Sequence, residues 1–421
     1  MGLLHNRWSQ LALGLVCMIA ISSPQYVWAL FTQPFTAAFG ASLAEVQVTF
    51  SILIVLQTFL SPGQGFLIDR FGPRLLLSIG ALVTGLSWML AAQVSSVGGL
   101  YLTYGLLGGI GTGIIYIGVV GHMVQWFPDK RGFATGCVAA GYGMGAILFT
   151  FPVATTLRSA SYQQALWQFG AIFAVTGFLA AQGLRRPPAH HQMLHPVRVE
   201  GLPAASSRSY TPREMLRTPI YWLLLVMMTM MSTCGLMVTS QMGAFTADFG
   251  MADVMVWGLA VLPLALSIDR ITNGVTRPFF GWVSDRIGRE NTMTIAFTLE
   301  GIAMTAWLLL RDRPVLFVLL SGLVFFAWGE IFSLFPSTLT DTYGTKYATA
   351  NYGFLYIAQG IGSVLGGPVA ALLHDRTASW VPVFTVIIAM NFATAFLAWF
   401  VLKPTRRRWF ARMSAASIGP A

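Results

Sequence analysis

Apolar residues in this chain come in long blocks, separated by short stretches rich in Gly, Pro, Asp and Arg. A helix needs about 20 mostly apolar residues to cross the hydrocarbon core of a bilayer. By that measure the pattern predicts twelve spans, near residues 9–38, 44–66, 75–94, 99–124, 133–156, 165–184, 219–246, 254–282, 291–310, 314–338, 350–373 and 380–402. The run Leu11–Ala20 after Arg7 is like a signal peptide, but no small-residue cleavage site leads into a polar domain, so it is read as the first span. The longest polar stretch, 185–218, divides six spans from six. This predicts an N-terminal six-helix bundle (1–184), a central loop (185–218), a C-terminal six-helix bundle (219–402) and a basic tail (403–421).

Composition agrees with the pattern. Of 421 residues 55% are hydrophobic and only 10% charged, against roughly a quarter charged in soluble domains. Disorder requires the opposite balance. The fold class expected is an all-α membrane protein. A net charge of +10 could signal nucleic acid, but the basic residues sort by loop. With the N-terminus inside, 19 of the 25 Lys and Arg fall in cytoplasmic segments and four in outer loops. By the positive-inside rule both termini are cytoplasmic, in the inner membrane, and the excess needs no nucleic-acid partner. Cys17, Cys137 and Cys234 lie in apolar runs without metal-ligand spacing. His190, His191 and His195 belong to the Pro-rich central loop and are read as solvated linker. No metal site or cofactor is implied, and no phosphate-binding GxxxxGK[ST] string occurs.

The second half repeats the first at an offset of 216. GFLIDRFGPR (Gly65–Arg74) matches GWVSDRIGRE (Gly281–Glu290), and Pro62, Gly113, Tyr116, Lys130 and Pro152 pair with Pro278, Gly329, Phe332, Lys346 and Pro368. An even number of spans per copy gives both halves one orientation, a parallel repeat about an axis along the membrane normal. The doubled motif, with Asp69, Arg70 and Arg74 in one copy and Asp285, Arg286 and Arg289 in the other, resembles the signature loop of the major facilitator superfamily. The resemblance implies the two-bundle, twelve-helix fold of secondary transporters, with these loops as gates that hold the outward-open state.

Further strings narrow it: QYVWALFTQPF (Gln25–Phe35), QWFPDKRG (Gln125–Gly132), AAGYGMG (Ala139–Gly145), NGVTRPFFGWVSDRIGR (Asn273–Arg289), WGEIFSLFPST (Trp328–Thr338) and NYGF (Asn351–Phe354) resemble the oxalate/formate antiporter family. That resemblance implies carriage of small carboxylate anions by alternating access, with the span-8 arginine, here Arg277, on the substrate carboxylate. It also marks a departure. Those antiporters carry a span-11 lysine where this chain has Gln359. One cation with hydrogen-bond donors suits a monocarboxylate better than a dicarboxylate.

Five ionisable residues lie well inside spans: Asp269, Arg270, Arg277, Glu300 and Glu330. Each costs roughly 2.5–3.5 kcal/mol on insertion scales, which makes a function the default expectation. Arg277 offers a planar, permanently charged fork for a carboxylate, and shares a helix face with Arg270 and Asn273. Asp269, Arg270 and Glu330 are candidates for proton coupling or for ion pairs between helices. The resemblance places span 9 at the periphery, so Glu300 is read as a contact with a polar spot on a neighbour. Aromatic and amide residues at matched places complete the expected site: Tyr26, Trp28, Gln57, Tyr116, Tyr142, Trp328, Phe332 and Tyr356. The expected ligands are a small carboxylate and, for coupling, a proton. The surroundings are membrane lipid, and the working unit is a monomer. A proton-coupled monocarboxylate symporter is the alternative. A transporter-fold sensor or a membrane enzyme would need a signalling domain or a nucleophile–base constellation, and neither pattern is visible in the chain.

Overall fold

The computed structural model describes residues 6–188, 208–251 and 253–417. The three loop histidines His190, His191 and His195 lie outside the described residues. Nine helices are long and apolar enough to cross a membrane among the described residues: Pro73–Ala91, Val97–Trp126, Arg131–Ser159, Tyr162–Gln182, Pro219–Asp248, Arg289–Leu309, Pro314–Tyr343, Ala348–Thr377 and Val381–Met413. Two bent pairs raise the number to eleven. Arg7–Tyr26 meets Leu30–Phe39 at 50°, and Glu45–Phe59 meets Ser61–Phe71 at 49°. The remaining helix, Val261–Ile287, has 27 residues. It is long enough to cross, but Asp269, Arg270 and Arg277 dilute its apolar character. In chain order these are spans 1 to 12, span 8 being Val261–Ile287.

The breaks follow local chemistry. Span 2 starts on a capping box: Ser42 Oγ accepts from the Glu45 amide, and Glu45 accepts from the Ser42 amide at 2.8 Å. It bends where Pro62 opens its second half, since proline lacks the N–H needed to continue the helix. Span 8 begins later than residue 254. Met255–Val256 and Leu259–Ala260 instead form a small antiparallel hairpin, because Trp257 and Gly258 both take positive φ (52° and 80°) at its turn. The sequence repeat reappears in the backbone: Gly72 and Gly288, 216 residues apart, close their helices with φ of 95° and 96°. A side chain would be strained there.

The chain divides into two compact units. The first comprises Met1–Pro128, Cys137–Leu194 and Thr345–Ile357; the second comprises Asp129–Gly136, His195–Gly344 and Ala358–Ala421. Each unit thus includes a short segment from the other half of the sequence. In the first unit the centre is aromatic, with Trp28, Phe31, Phe35, Trp88, Tyr104 and Phe173 buried together. Large apolar side chains such as Leu148, Phe151, Leu179, Leu309 and Phe400 point outward, as helices solvated by lipid require.

The exchanged segments are held by the repeated motif. In the second unit, both Asp285 carboxyl oxygens accept main-chain N–H bonds, from Gly132 at 3.0 Å and Phe133 at 2.9 Å, at the start of span 5. In the first unit, Asp69 accepts from the Ala350 amide at 2.9 Å, at the start of span 11. A carboxylate there satisfies orphan amides and meets the positive end of the helix dipole. The motif glycines permit this approach. A Cβ on Gly65 would stand 2.5 Å from the Thr349 carbonyl oxygen, and one on Gly281 would stand 2.1 Å from that of Gly132.

The basic tail is partly structural. Residues Lys403–Ser417 are helical. Arg406 is buried and pairs with the buried Glu290, and its Nε donates to Thr342 Oγ1 at 2.9 Å.

Candidate functional site

Among the described residues of the second unit Arg277 is the most buried cation, with 1% of its surface exposed. Its Nη2 donates to Asn273 Oδ1, one helical turn earlier, at 2.6 Å. Its guanidinium also lies over the Phe332 ring, 4.4 Å from the centroid. A buried cation on an aromatic face gains on the order of 2 kcal/mol, and the two contacts aim the fork. Span 10 supplies Phe332 because it breaks between Trp328 and Ile331. At the break Gly329 packs against span 8: a Cβ there would lie 2.3 Å from Thr276 Cγ2 and 2.6 Å from the Asn273 carbonyl oxygen. Thr276 Oγ1 donates to the Phe326 carbonyl beside it. Close helix approach through a small residue thus sets the Arg277–Phe332 contact.

Trp328 is locked nearby. Its Nε1 donates to the Met231 carbonyl at 2.8 Å, its ring meets Phe332 edge-on at 5.7 Å, and Gly235 lies directly against the indole. Glu330 is fully buried at the same break. Its main-chain carbonyl accepts from the Ser333 and Leu334 amides. Gln359 is buried, and its Oε1 accepts no hydrogen bond among the described residues. Asp269 is buried facing Ser321 of span 10, whereas Arg270 is exposed. Spacing alone puts Arg270 and Arg277 on one face; the structure gives them different surroundings.

The first unit gathers the tyrosines. Tyr142 Oη donates to Gln25 Oε1 and accepts from Gln57 Nε2 at 3.0 Å. Tyr26 and Tyr116 meet the Tyr142 ring edge-on at 5.5 and 5.1 Å, and Tyr116 stacks on Tyr356 at 4.7 Å. Trp28 stands apart. It donates to Gln47 Oε1 at 2.9 Å and packs on Tyr104, inside the aromatic centre.

At the motif end, Arg289 joins Asp285 at 2.6 Å and Asp341 at 2.9 Å, and Arg131 also pairs with Asp341. Arg286 lies over Trp282 and Arg70 over Phe71, while Arg74 donates to Gln182 Oε1 at 3.0 Å. Sequence reasoning missed Arg131, Asp341, Glu290 and Arg406. Each is an ordinary end-of-helix charge in the linear pattern, and only their burial in pairs sets them apart.

Helices of this length and breakage, a doubled charged loop and a buried arginine define a membrane transporter of the two-halved kind. The family described as Major Facilitator Superfamily matches residues 11–269 and 257–418, and the chain belongs to it. Among curated relatives, the oxalate:formate antiporter of Oxalobacter formigenes is 34% identical over 95% of this chain and 93% of that protein. Monocarboxylate transporter 13 of Bos taurus is 25% identical over 85% of this chain and 80% of that protein. In fold, the chain is similar to the proton:xylose symporter XylE, with a TM-score of 0.72, 13% identity, and coverage of 94% of this chain and 96% of that one.

Proposed function

We propose that this transporter carries small carboxylate anions by alternating access, with a monocarboxylate preferred. The observation that carries the reading is Arg277, a buried guanidinium held by Asn273 and Phe332 in a span that also carries Asp269 and Arg270. Such a fork takes a carboxylate through two parallel charge-assisted bonds. Similarity to the oxalate:formate antiporter and to monocarboxylate transporter 13 supports the anion class. Gln359 supports the choice of one carboxylate over two, because it presents an amide where the antiporter family's lysine would be a second cation. Tyr26, Gln57, Tyr116, Tyr142 and Tyr356 are the aromatic and amide groups proposed for the first unit, and Trp328 and Phe332 are proposed to back the arginine within the second. The Asp69 and Asp285 loops, with Arg70, Arg74, Arg286 and Arg289, are the proposed gates on the cytoplasmic side.

The proposed setting is the inner membrane, with both termini cytoplasmic, two six-span bundles over 1–184 and 219–402, and a monomer as the working unit. A proton-coupled mode is the second reading, favoured by the burial of Asp269 and Glu330. Uptake and counterflow of labelled formate, lactate and oxalate in proteoliposomes test the substrate class. Carriage of none of the three would remove the proposal.

A further inference from the structure

Span 12 is longer than a bilayer requires. Its helix runs from Val381 to Met413 over 33 residues, about 50 Å at 1.5 Å per residue, some 20 Å more than the hydrocarbon core. Its outward side chains are apolar as far as Phe396, Trp399 and Phe400, all exposed. From Lys403 the helix turns basic, with Arg406, Arg407, Arg408 and Arg412, and no Asp or Glu follows Asp375. One face of this extension is fixed. Arg406 is buried in its pair with Glu290 and donates to Thr342 Oγ1 at 2.9 Å, while the Trp409 ring lies 5.5 Å from that of Tyr210 and 6.3 Å from that of Tyr343. On a helix, Arg407, Arg408 and Arg412 then lie about 100°, 200° and 240° around the axis from Arg406. All three are exposed, and none belongs to an ion pair among the described residues. At this end of the second unit Glu214 already pairs with Arg208, Glu290 with Arg406, and Asp285 and Asp341 with Arg289.

Lys403 marks the border of the hydrocarbon. Its Nζ lies 3.4 Å from the centroid of the Trp399 ring and donates to Asn291 Oδ1 at 2.8 Å. Tryptophan and lysine gather where hydrocarbon gives way to headgroups. Arg407 and Arg408 follow one turn later. The headgroup layer is roughly 5–8 Å deep on each side, and the long arginine stem lets the charged head reach back into it. The anions of that layer are lipid phosphates, and a guanidinium fork matches two phosphate oxygens with parallel bonds. We propose that Arg407, Arg408 and Arg412 form a binding face for anionic phospholipid headgroups in the leaflet that borders the tail. The buried Arg406–Glu290 pair sets the rotation of the helix, and with it the direction of this face. Each basic residue beside an anionic surface strengthens attraction roughly fivefold, so three together give on the order of a hundredfold over neutral lipid. The opposite face of the same helix holds Thr342 and packs beside Tyr343 at the end of span 10. Lipid bound outside therefore steadies that end of the second unit.

Native mass spectrometry of the purified full chain in neutral detergent tests the face, with phosphatidylglycerol and phosphatidylcholine of equal acyl chains added together. Preferential retention of phosphatidylglycerol is expected in the wild type, and a preference at least about tenfold weaker when Arg407→Gln, Arg408→Gln and Arg412→Gln are combined. Thermal unfolding is the second measurement. Phosphatidylglycerol raises the Tm of the wild type more than that of the triple variant, while both share one Tm in phosphatidylcholine, because the substituted side chains are exposed. A triple variant that keeps the wild-type preference overturns the proposal, as does a wild type without a preference. An equal rise in Tm from inorganic phosphate or from poly-glutamate also overturns it, since the face would then serve a soluble anion or an acidic protein segment. Arg408→Gln and Arg412→Gln, made singly, guard against a triple variant that does not fold. Partial loss of retention is expected in each, and full retention in both overturns the proposal.

Discussion

Arg277→Lys is the sharpest test of the proposed site, because it keeps the charge and removes the geometry. The guanidinium uses one nitrogen on Asn273 at 2.6 Å and its face on Phe332 at 4.4 Å. A guanidinium donates two parallel bonds to a carboxylate from one planar edge. A lysine ammonium is a point charge without the fork. It loses one of the two charge-assisted bonds, each worth about 1.5–3 kcal/mol, which weakens binding roughly ten- to a hundredfold. The assay is counterflow in proteoliposomes at equal protein content. The apparent KM for the carried anion rises by that factor in Arg277→Lys, and transport is lost in Arg277→Ala. Asn273→Asp is the companion: a carboxylate against the guanidinium competes with the substrate and also raises KM. Unchanged KM in Arg277→Lys would refute bidentate recognition, and normal transport by Arg277→Ala would refute the site.

Three further outcomes follow from the packing. Tyr142→Phe removes the hydroxyl that joins Gln25 to Gln57; leaving the buried Gln57 amide unsatisfied costs about 1–3 kcal/mol, and a raised KM at normal protein level is expected in the counterflow assay. Arg406→Ala strands Glu290 in a buried position, and breaking a buried pair costs about 3–5 kcal/mol; a lower Tm in detergent is expected, largely restored when Glu290→Leu is added. Gly281→Val drives a side chain into the Gly132 carbonyl; the prediction is loss of transport with normal membrane insertion, measured by uptake against protein level.

Much of this protein is legible in its linear pattern. Spans are local, because each needs only an apolar run matched to bilayer thickness, and the repeat shows at one offset because equivalent loops meet equivalent constraints. Span 8 is readable as the functional helix because ionisable residues in lipid are costly enough to need a reason. The hairpin at Met255–Ala260 is hidden in an apolar run, since hydropathy does not separate a short strand from a helix start.

What only the tertiary structure decided is which side chains from different spans meet. Periodicity gives a residue its face on one helix, but the partner depends on where neighbouring helices break and how closely they pass. Gly329 brings Phe332 to Arg277; Asp69 and Asp285 reach amides that lie far along the chain; Trp28 joins an aromatic centre with Phe31, Trp88 and Tyr104. Glu300, on a span expected at the periphery, lies fully buried. Sequence marks the buried charges as costly, because that cost depends on the side chain and its span. Which charges offset one another is a matter of distance, and distance exists only in the fold.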